Sequence, residues 1–238
     1  MNKIKVRYTT VLLDADGTVY DFHKAEMTAL KQTFDNIGIG WTEELNNLYL
    51  EENQIIWREF EQHLISAENF KTERFRRFFE RAGLTVQISP RQVNDIYIGY
   101  FSECGFLFDG ALDFVKNLKK YCRVYIATNG LAAAQKGRYK NSGLDKVTDG
   151  IFISEVMGLR KPSADYFDYI FGRLDIKDKS EVIIIGDSLT SDMQGGKNAG
   201  ITTCLYNPDY SITDSILCDY IARSYDDILS LQQEKYKA

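Results

Sequence analysis

The sequence predicts a doubly wound α/β core built on a parallel sheet, with a helical-bundle domain inserted after the first strand. Three observations lead there. Short apolar, β-branched runs occur near the N-terminus and return in the second half of the chain. Helical patterns alternate with the later runs, and between residues 22 and 108 the strand pattern disappears. Continuous apolar strands separated by helices are the signature of a sheet covered on both faces.

The first strand is read at Thr9-Thr10-Val11-Leu12-Leu13 and is stopped by Asp14-Ala15-Asp16-Gly17-Thr18. From Phe22 onward the chain is rich in helix formers with 3.6-residue periodicity, shown by Phe75, Phe78, Phe79 and Ala82. Ser89-Pro90-Arg91-Gln92 carries a capping box with Pro at the first helical position. Four helices are expected in this insert.

Leu112, Val115 and Leu118 then mark a helix before a strand at Arg123–Ala127, which ends in Thr128-Asn129-Gly130. A short strand is read at Gly150–Ile153. Tyr166, Ile170 and Leu174 mark a helix before the strand Val182–Ile185, which ends in Gly186-Asp187-Ser188. Thr202–Leu205 and Asp219–Ala222 complete six strands. This divides the chain into a core of residues 1–21 and 109–238 and a helical domain of residues 22–108, placed to cover the first carboxylate cluster.

Composition limits what such a protein does. Hydrophobic residues make up 44% and charged residues 26%, which is enough apolar material for a sizeable core and too much for global disorder. The 29 Lys and Arg against 34 Asp and Glu leave a net charge of -5, which argues against a nucleic-acid polymer as partner. The basic start Met1–Arg7 is followed by an apolar stretch that ends at Asp14, too early for a signal-peptide core. No run approaches the ~18 apolar residues of a membrane span. A cytoplasmic protein, monomer or homodimer, is expected.

Four dispersed cysteines form no C-x-x-C pair, and His23 and His63 are the only histidines. Neither H-E-x-x-H nor G-x-S-x-G is present, so zinc-protease and serine-hydrolase chemistry lack their core residues. Lys71, Arg74, Arg76, Arg77 and Arg81 are expected on the solvated face of a helix whose other face is a Phe stripe. Trp41 and Trp57 are expected in core packing, and His23 in a structural role.

Ligands of open α/β sheets bind beyond the carboxyl ends of the strands, and all three polar clusters fall at such ends. Asp14, Asp16, Asp187 and Asp192 would therefore converge. Two like charges about 4 Å apart repel by about 4 kcal/mol at an effective dielectric of 20, so the cluster needs a cation or a proton. Hard oxygen donors without His or Cys favour Mg²⁺. Lys161, in Arg160-Lys161-Pro162, adds positive charge, and Thr128 and Asn129 add neutral donors. Such a site suits a phosphoryl group. Gly195-Gly196-Lys197-Asn198-Ala199-Gly200 has glycines but not the G-K-[ST] order of a P-loop. A carboxylate pair two residues apart offers one group to attack phosphorus and another to handle protons.

Asp14-Ala15-Asp16-Gly17-Thr18, Thr128-Asn129-Gly130, Lys161-Pro162 and Gly186-Asp187-Ser188-Leu189-Thr190-Ser191-Asp192 resemble the four motifs of the haloacid dehalogenase superfamily, whose core is Rossmann-like. The resemblance spans nearly the whole chain, and the helical insert matches the position of that family's C1 cap. Ile153–Pro162 and Gly195–Gly200 further resemble the pyrimidine 5′-nucleotidase branch.

The resemblance implies that Asp14 is the nucleophile forming an aspartyl-phosphate, and that Asp16 protonates the leaving alcohol and then activates water. It implies that Thr128, Asn129 and Lys161 bind the substrate phosphoryl group, with Lys161 also holding the nucleophile. Asp14, the Asp16 carbonyl and Asp187 would ligate Mg²⁺, with Asp192 in support or replacing a water. The expected activity is hydrolysis of a small phosphate ester, a nucleoside 5′-monophosphate first. A sugar-phosphate mutase is the alternative within the family. Asp16 argues against a dehalogenase, which needs no proton donor for an alcohol, and together with Lys161 it argues against a mere binding module.

Overall fold

A computed structural model of the chain describes residues 5–62 and 64–234; most of the basic N-terminal run and His63 lie outside them. The chain divides into two compact units, residues 1–22 with 105–238, and residues 23–104. In chain order the elements are β1 (Lys5–Val6), β2 (Thr10–Leu13), α1 (Phe22–Asn36), α2 (Glu43–Glu61), α3 (Ala67–Ala82), α4 (Pro90–Glu103) and α5 (Ala111–Leu118). There follow β3 (Arg123–Thr128), α6 (Ala132–Asn141), β4 (Gly150–Ile153), α7 (Ser154–Met157), α8 (Ala164–Leu174) and β5 (Val182–Gly186). The chain closes with α9 (Gln194–Ala199), β6 (Thr202–Tyr206), β7 (Tyr220–Ala222), α10 (Tyr225–Gln232) and β8 (Gln233–Glu234).

Six strands form one parallel sheet in the order β4-β3-β2-β5-β6-β7, and β1 pairs with β8 in a small antiparallel ribbon. Each of the six apolar runs is a strand of this sheet, with ends within a residue or two of expectation. β2 and β5 are buried along their whole length. Their apolar side chains alternate between two cores. Val11, Leu13, Ile183 and Ile185 face the layer that holds Phe114, Leu118 and Ile228 of α5 and α10. Leu12 and Ile184 face the opposite layer, with Tyr166, Phe167 and Ile170 of α8. Helices therefore cover both faces, which is why these strands are apolar apart from Thr10 at the start of β2 and Gly186 at the end of β5.

The order of strands reverses at β2. From it the chain winds outward one way through β3 and β4 and the other way through β5, β6 and β7. This is the switch point at which α/β sheets open a crevice beyond their carboxyl ends. The glycines of the Gly195–Gly200 stretch serve packing. A Cβ on Gly196 would lie 2.5 Å from a Thr203 methyl, and one on Gly195 would lie 2.8 Å from the Phe167 ring.

The segment Gly105–Phe108 belongs with the core unit because it pairs with the chain leaving that unit. Asp21 N–H donates to the Phe106 carbonyl (3.1 Å) and Phe108 N–H to the Val19 carbonyl (3.0 Å).

The helical unit is packed on aromatic rings. Phe34, Tyr49, Phe75, Phe78 and Tyr97 are buried and stack with centroids 5.4–6.1 Å apart. The expected Ser89 capping box is present. Trp41 packs on Phe34, and Trp57 on Phe60 and Phe70. His23 is exposed on the first turn of α1.

The basic helix α3 corrects one expectation. Arg76, Arg77 and Arg81 lie toward solvent and are matched by Glu73, Glu80, Glu59, Glu51 and Glu52. Arg74 is instead buried, donating to Asn94 Oδ1 at 2.5 Å with its guanidinium 4.6 Å from the Tyr97 ring centre. Its position on the Phe stripe outweighs its charge, because neighbouring carboxamides and ring faces replace water around the cation.

Candidate active site

The ends of β2, β3 and β5 bring the sequence clusters together. Asp14 follows β2 directly, and its N–H donates to the Ile185 carbonyl at 2.8 Å, which fixes its backbone to β5. Lys161 arrives from the segment between α7 and α8 and is 1% exposed. Its Nζ donates to Asp14 Oδ1 (2.5 Å), Asp192 Oδ1 (2.6 Å) and the Ala127 carbonyl (2.7 Å). An ammonium has three protons, so every one is used.

Asp192 sits in the π-helical turn Leu189–Met193 after β5 and is fully buried. Its second oxygen accepts the Ser188 N–H at 3.2 Å. Asp187 stands at the mouth, where its Oδ1 accepts the Thr18 hydroxyl at 3.5 Å. Gly17 makes room for it. A Cβ there would lie 2.2 Å from Asp187 Oδ2, and its φ of +81° is one that other residues avoid.

Oxygen atoms of Asp14, Asp187 and Asp192 all lie within 4.8 Å of one another. Three carboxylates share one ammonium, and the electrostatics record the imbalance. Burial, and then the Asp192 charge, push the Asp14 carboxyl well above its ordinary range in spite of Lys161. Asp187 partly reaches solvent, yet the protein crowded round its carboxylate and the charge of Asp192 push it up to about 7. Burial works against the charged Lys161, but Asp14 and Asp192 more than offset it and hold its pKa above the usual lysine value. An all-oxygen donor set with uncompensated negative charge fits a hard divalent cation.

Asp16 stands outside this trio. Its Oδ2 accepts from Gln135 Nε2 at 2.6 Å and its Oδ1 from Arg138 Nη1. Thr128 is buried, and its Oγ1 accepts the Gly130 N–H at 3.0 Å, which leaves the hydroxyl proton free to donate.

Asn129 is tied to the segment that carries Lys161. Its Nδ2 donates to the Lys161 carbonyl and its Oδ1 accepts the Lys161 N–H, both at 2.9 Å. One donor and one acceptor of the carboxamide clasp the Lys161 main chain, so Asn129 orients the lysine, and its second N–H is left over for another acceptor.

Sequence reasoning missed Gln135 and Arg138. Their signal was a polar pair three residues apart on the same buried face of α6 as Ala134.

The profile of the haloacid dehalogenase-like hydrolase family matches residues 8–200. The chain belongs to that family. As a haloacid dehalogenase-like hydrolase it is 36% identical over 203 residues to the HAD-hydrolase YfnB of Bacillus subtilis, covering 85% of this chain and 86% of that one. The solved structure of YfnB bound to magnesium superposes with a TM-score of 0.88 at 34% identity, over 95% of this chain and 99% of that chain. The pyrimidine 5′-nucleotidase PynA of Streptococcus pneumoniae is 35% identical over 204 residues, 85% of each chain. The pyrimidine 5′-nucleotidase YjjG of Escherichia coli is 29% identical over 202 residues, 85% of this chain and 87% of that one. Among the described residues of this hydrolase, no helix is long and apolar enough to cross a membrane.

Proposed function

We propose that this chain is a Mg²⁺-dependent phosphomonoesterase that works through an aspartyl-phosphate on Asp14, with nucleoside 5′-monophosphates as its substrate class. The observation that carries the reading is the buried Lys161 ammonium held 2.5 Å from Asp14 Oδ1. That contact fixes one carboxylate oxygen and leaves the other for phosphorus. It also puts fixed positive charge where a phosphoryl group arrives.

In the first half-reaction an Asp14 oxygen forms a bond to phosphorus as the bond from phosphorus to the ester oxygen breaks. The electron pair of that bond goes to the leaving oxygen, which takes a proton from the Asp16 carboxyl. In the second half a water oxygen bonds to phosphorus, the Asp14–phosphorus link breaks with its electron pair returning to Asp14, and Asp16 takes the water proton. Thr128 donates its hydroxyl to a phosphoryl oxygen, and Asn129 keeps Lys161 in place. Asp14 and Asp187, with Asp192 beside them, would hold Mg²⁺, which when bound supplies positive charge against the phosphoryl oxygens. The substrate class is supported by the two relatives named as pyrimidine 5′-nucleotidases and by the likeness of Ile153–Pro162 and Gly195–Gly200 to that branch.

The test is phosphate release from a panel of nucleotides and sugar phosphates, with Mg²⁺ and with EDTA. Release from nucleoside monophosphates, lost with EDTA and in Asp14→Asn, is expected. Full turnover by Asp14→Asn would remove the covalent route. Interconversion of a sugar phosphate without net release would point to a mutase.

A further inference from the structure

Arg138 is the largest fully buried side chain among the described residues, and its guanidinium has two contacts on the loop that follows β2. One is the ion pair with Asp16, at the start of the loop. The other is the Tyr20 ring at the loop's end, whose centre lies 4.2 Å from the guanidinium carbon. Asp16 and Tyr20 are themselves bridged through their backbones, so Arg138 ties both ends of a closed turn. Tyr20 is in turn held to the end of α6, with its hydroxyl 3.1 Å from Ser142 Oγ.

Gln135 reaches the same carboxylate from one turn earlier on α6. It does so across Gly130, where a Cβ would lie 2.3 Å from Gln135 Nε2. Only a residue without a side chain lets Gln135 pass. Gln135 and Arg138 are 1% and 0% exposed, whereas the Asp16 side chain is 26% exposed. The carboxylate is therefore the end of this network that meets solvent.

A structural ion pair has no need of a second neutral donor or of an exposed end. A proton-handling carboxylate does need its plane fixed. Each oxygen of Asp16 accepts one hydrogen bond here, and each carboxylate oxygen has two lone-pair sites, so one site per oxygen stays open for a transferable proton.

We infer that Gln135 and Arg138 are positioning residues that hold the Asp16 carboxyl at the angle from which it gives its proton to the leaving oxygen. The inference rests on the proposed phosphate-ester hydrolysis and adds to it the parts that aim the acid. Arg138 Nη1 pins Asp16 Oδ1 and Gln135 Nε2 pins Oδ2, so together they fix rotation about the Asp16 side chain. Lys in place of Arg keeps the charge but loses the planar guanidinium that packs over the Tyr20 ring while one N–H reaches Asp16.

The experiment is kcat/KM for Arg138→Lys, Arg138→Met and Gln135→Leu over phosphate monoesters of graded leaving group, from p-nitrophenyl through phenyl to a nucleoside 5′-monophosphate. Circular dichroism on each variant checks the fold. kcat/KM ends with departure of the alcohol, so it reports the acid step and not the later hydrolysis. p-Nitrophenolate leaves with little help, whereas an alkoxide needs the proton.

A misaimed acid should therefore cost the alkyl ester about 10²-fold and the p-nitrophenyl ester at least about tenfold less, with Arg138→Lys between Arg138→Met and the parent. If the Arg138 variants fail to fold, Gln135→Leu alone decides, through the same ratio. An equal fall for every leaving group, or no fall, overturns the inference and leaves the hydrolase reading intact. A folded parent protein that cleaves none of the esters overturns the hydrolase reading, and the inference with it.

Discussion

The Lys161 ammonium stands 2.6 Å from the Asp192 carboxylate with both groups buried, yet the two are not equal partners. Among the described residues Lys161 is the one cation paired with Asp14 and Asp192, whereas Asp192 is one of three carboxylates. Removing either changes the charge balance in opposite directions.

Lys161→Met leaves two buried carboxylates facing each other, and stripping one side of a buried ion pair costs about 3–5 kcal/mol. Asp192→Asn loses one contact to Lys161 but also relieves the repulsion that raises Asp14, so its two effects oppose each other. Thermal or urea unfolding without added metal should show Lys161→Met far less stable than Asp192→Asn. Activity should fall severely in both. The reverse order of stabilities would contradict the charge count.

Gly17→Ala places a methyl where Asp187 Oδ2 now lies, 2.2 Å from the new Cβ, at a φ of +81°. The backbone strain alone is about 1–2 kcal/mol, and Asp187 must move as well. A modest drop in melting temperature with a much larger loss of phosphate release is expected. Parent-like turnover would show that Asp187 need not stay where it is.

Metal should also stabilise the fold. A ligand that binds only the folded state at a concentration 100 times its Kd adds about 2.7 kcal/mol, a rise of several degrees in melting temperature. Saturating Mg²⁺ should produce such a rise in the parent, EDTA should reverse it, and Asp187→Asn should shrink it sharply. An equal rise in parent and variant would place the ion elsewhere.

The sheet could be read from the sequence because its central strands are buried on both faces, so runs such as Val182–Ile185 are apolar without interruption. The convergence of Asp14, Thr128 and Asp187 followed from parallel topology, since each stood at the carboxyl end of a strand, and Lys161 joins them from the segment between α7 and α8. What escaped notice depends on which way a side chain turns. Arg74 carries a charge that normally signals exposure, and only the rotation of α3 shows that it shares the Phe stripe. Asn129 sits inside a polar motif, and nothing in its position says that its carboxamide closes on the Lys161 backbone. Gln135 and Arg138 meet Asp16 across 119 and 122 residues of chain, contacts set by the rotation of α6.

The helical unit offers a test by acid. Glu73 lies between Arg76 and Arg77, and the hydrogen bonds from Arg76, opposed by partial burial and joined by those from Arg77, hold its carboxyl at about 2, below the ordinary 4.5. A folded-state pKa below the unfolded one means that the unfolded chain takes up the proton first. The contribution is therefore present above about pH 4.5 and lost as the pH falls toward 2. The arginines are partly exposed, so the effect belongs with surface ion pairs, at most about 1 kcal/mol per pair. Measured by helical circular dichroism in urea, Glu73→Gln should be less stable than the parent at pH 6, and the gap should close across that acid window. A gap that stays constant down to pH 2 would mean that Glu73 contributes through packing rather than charge.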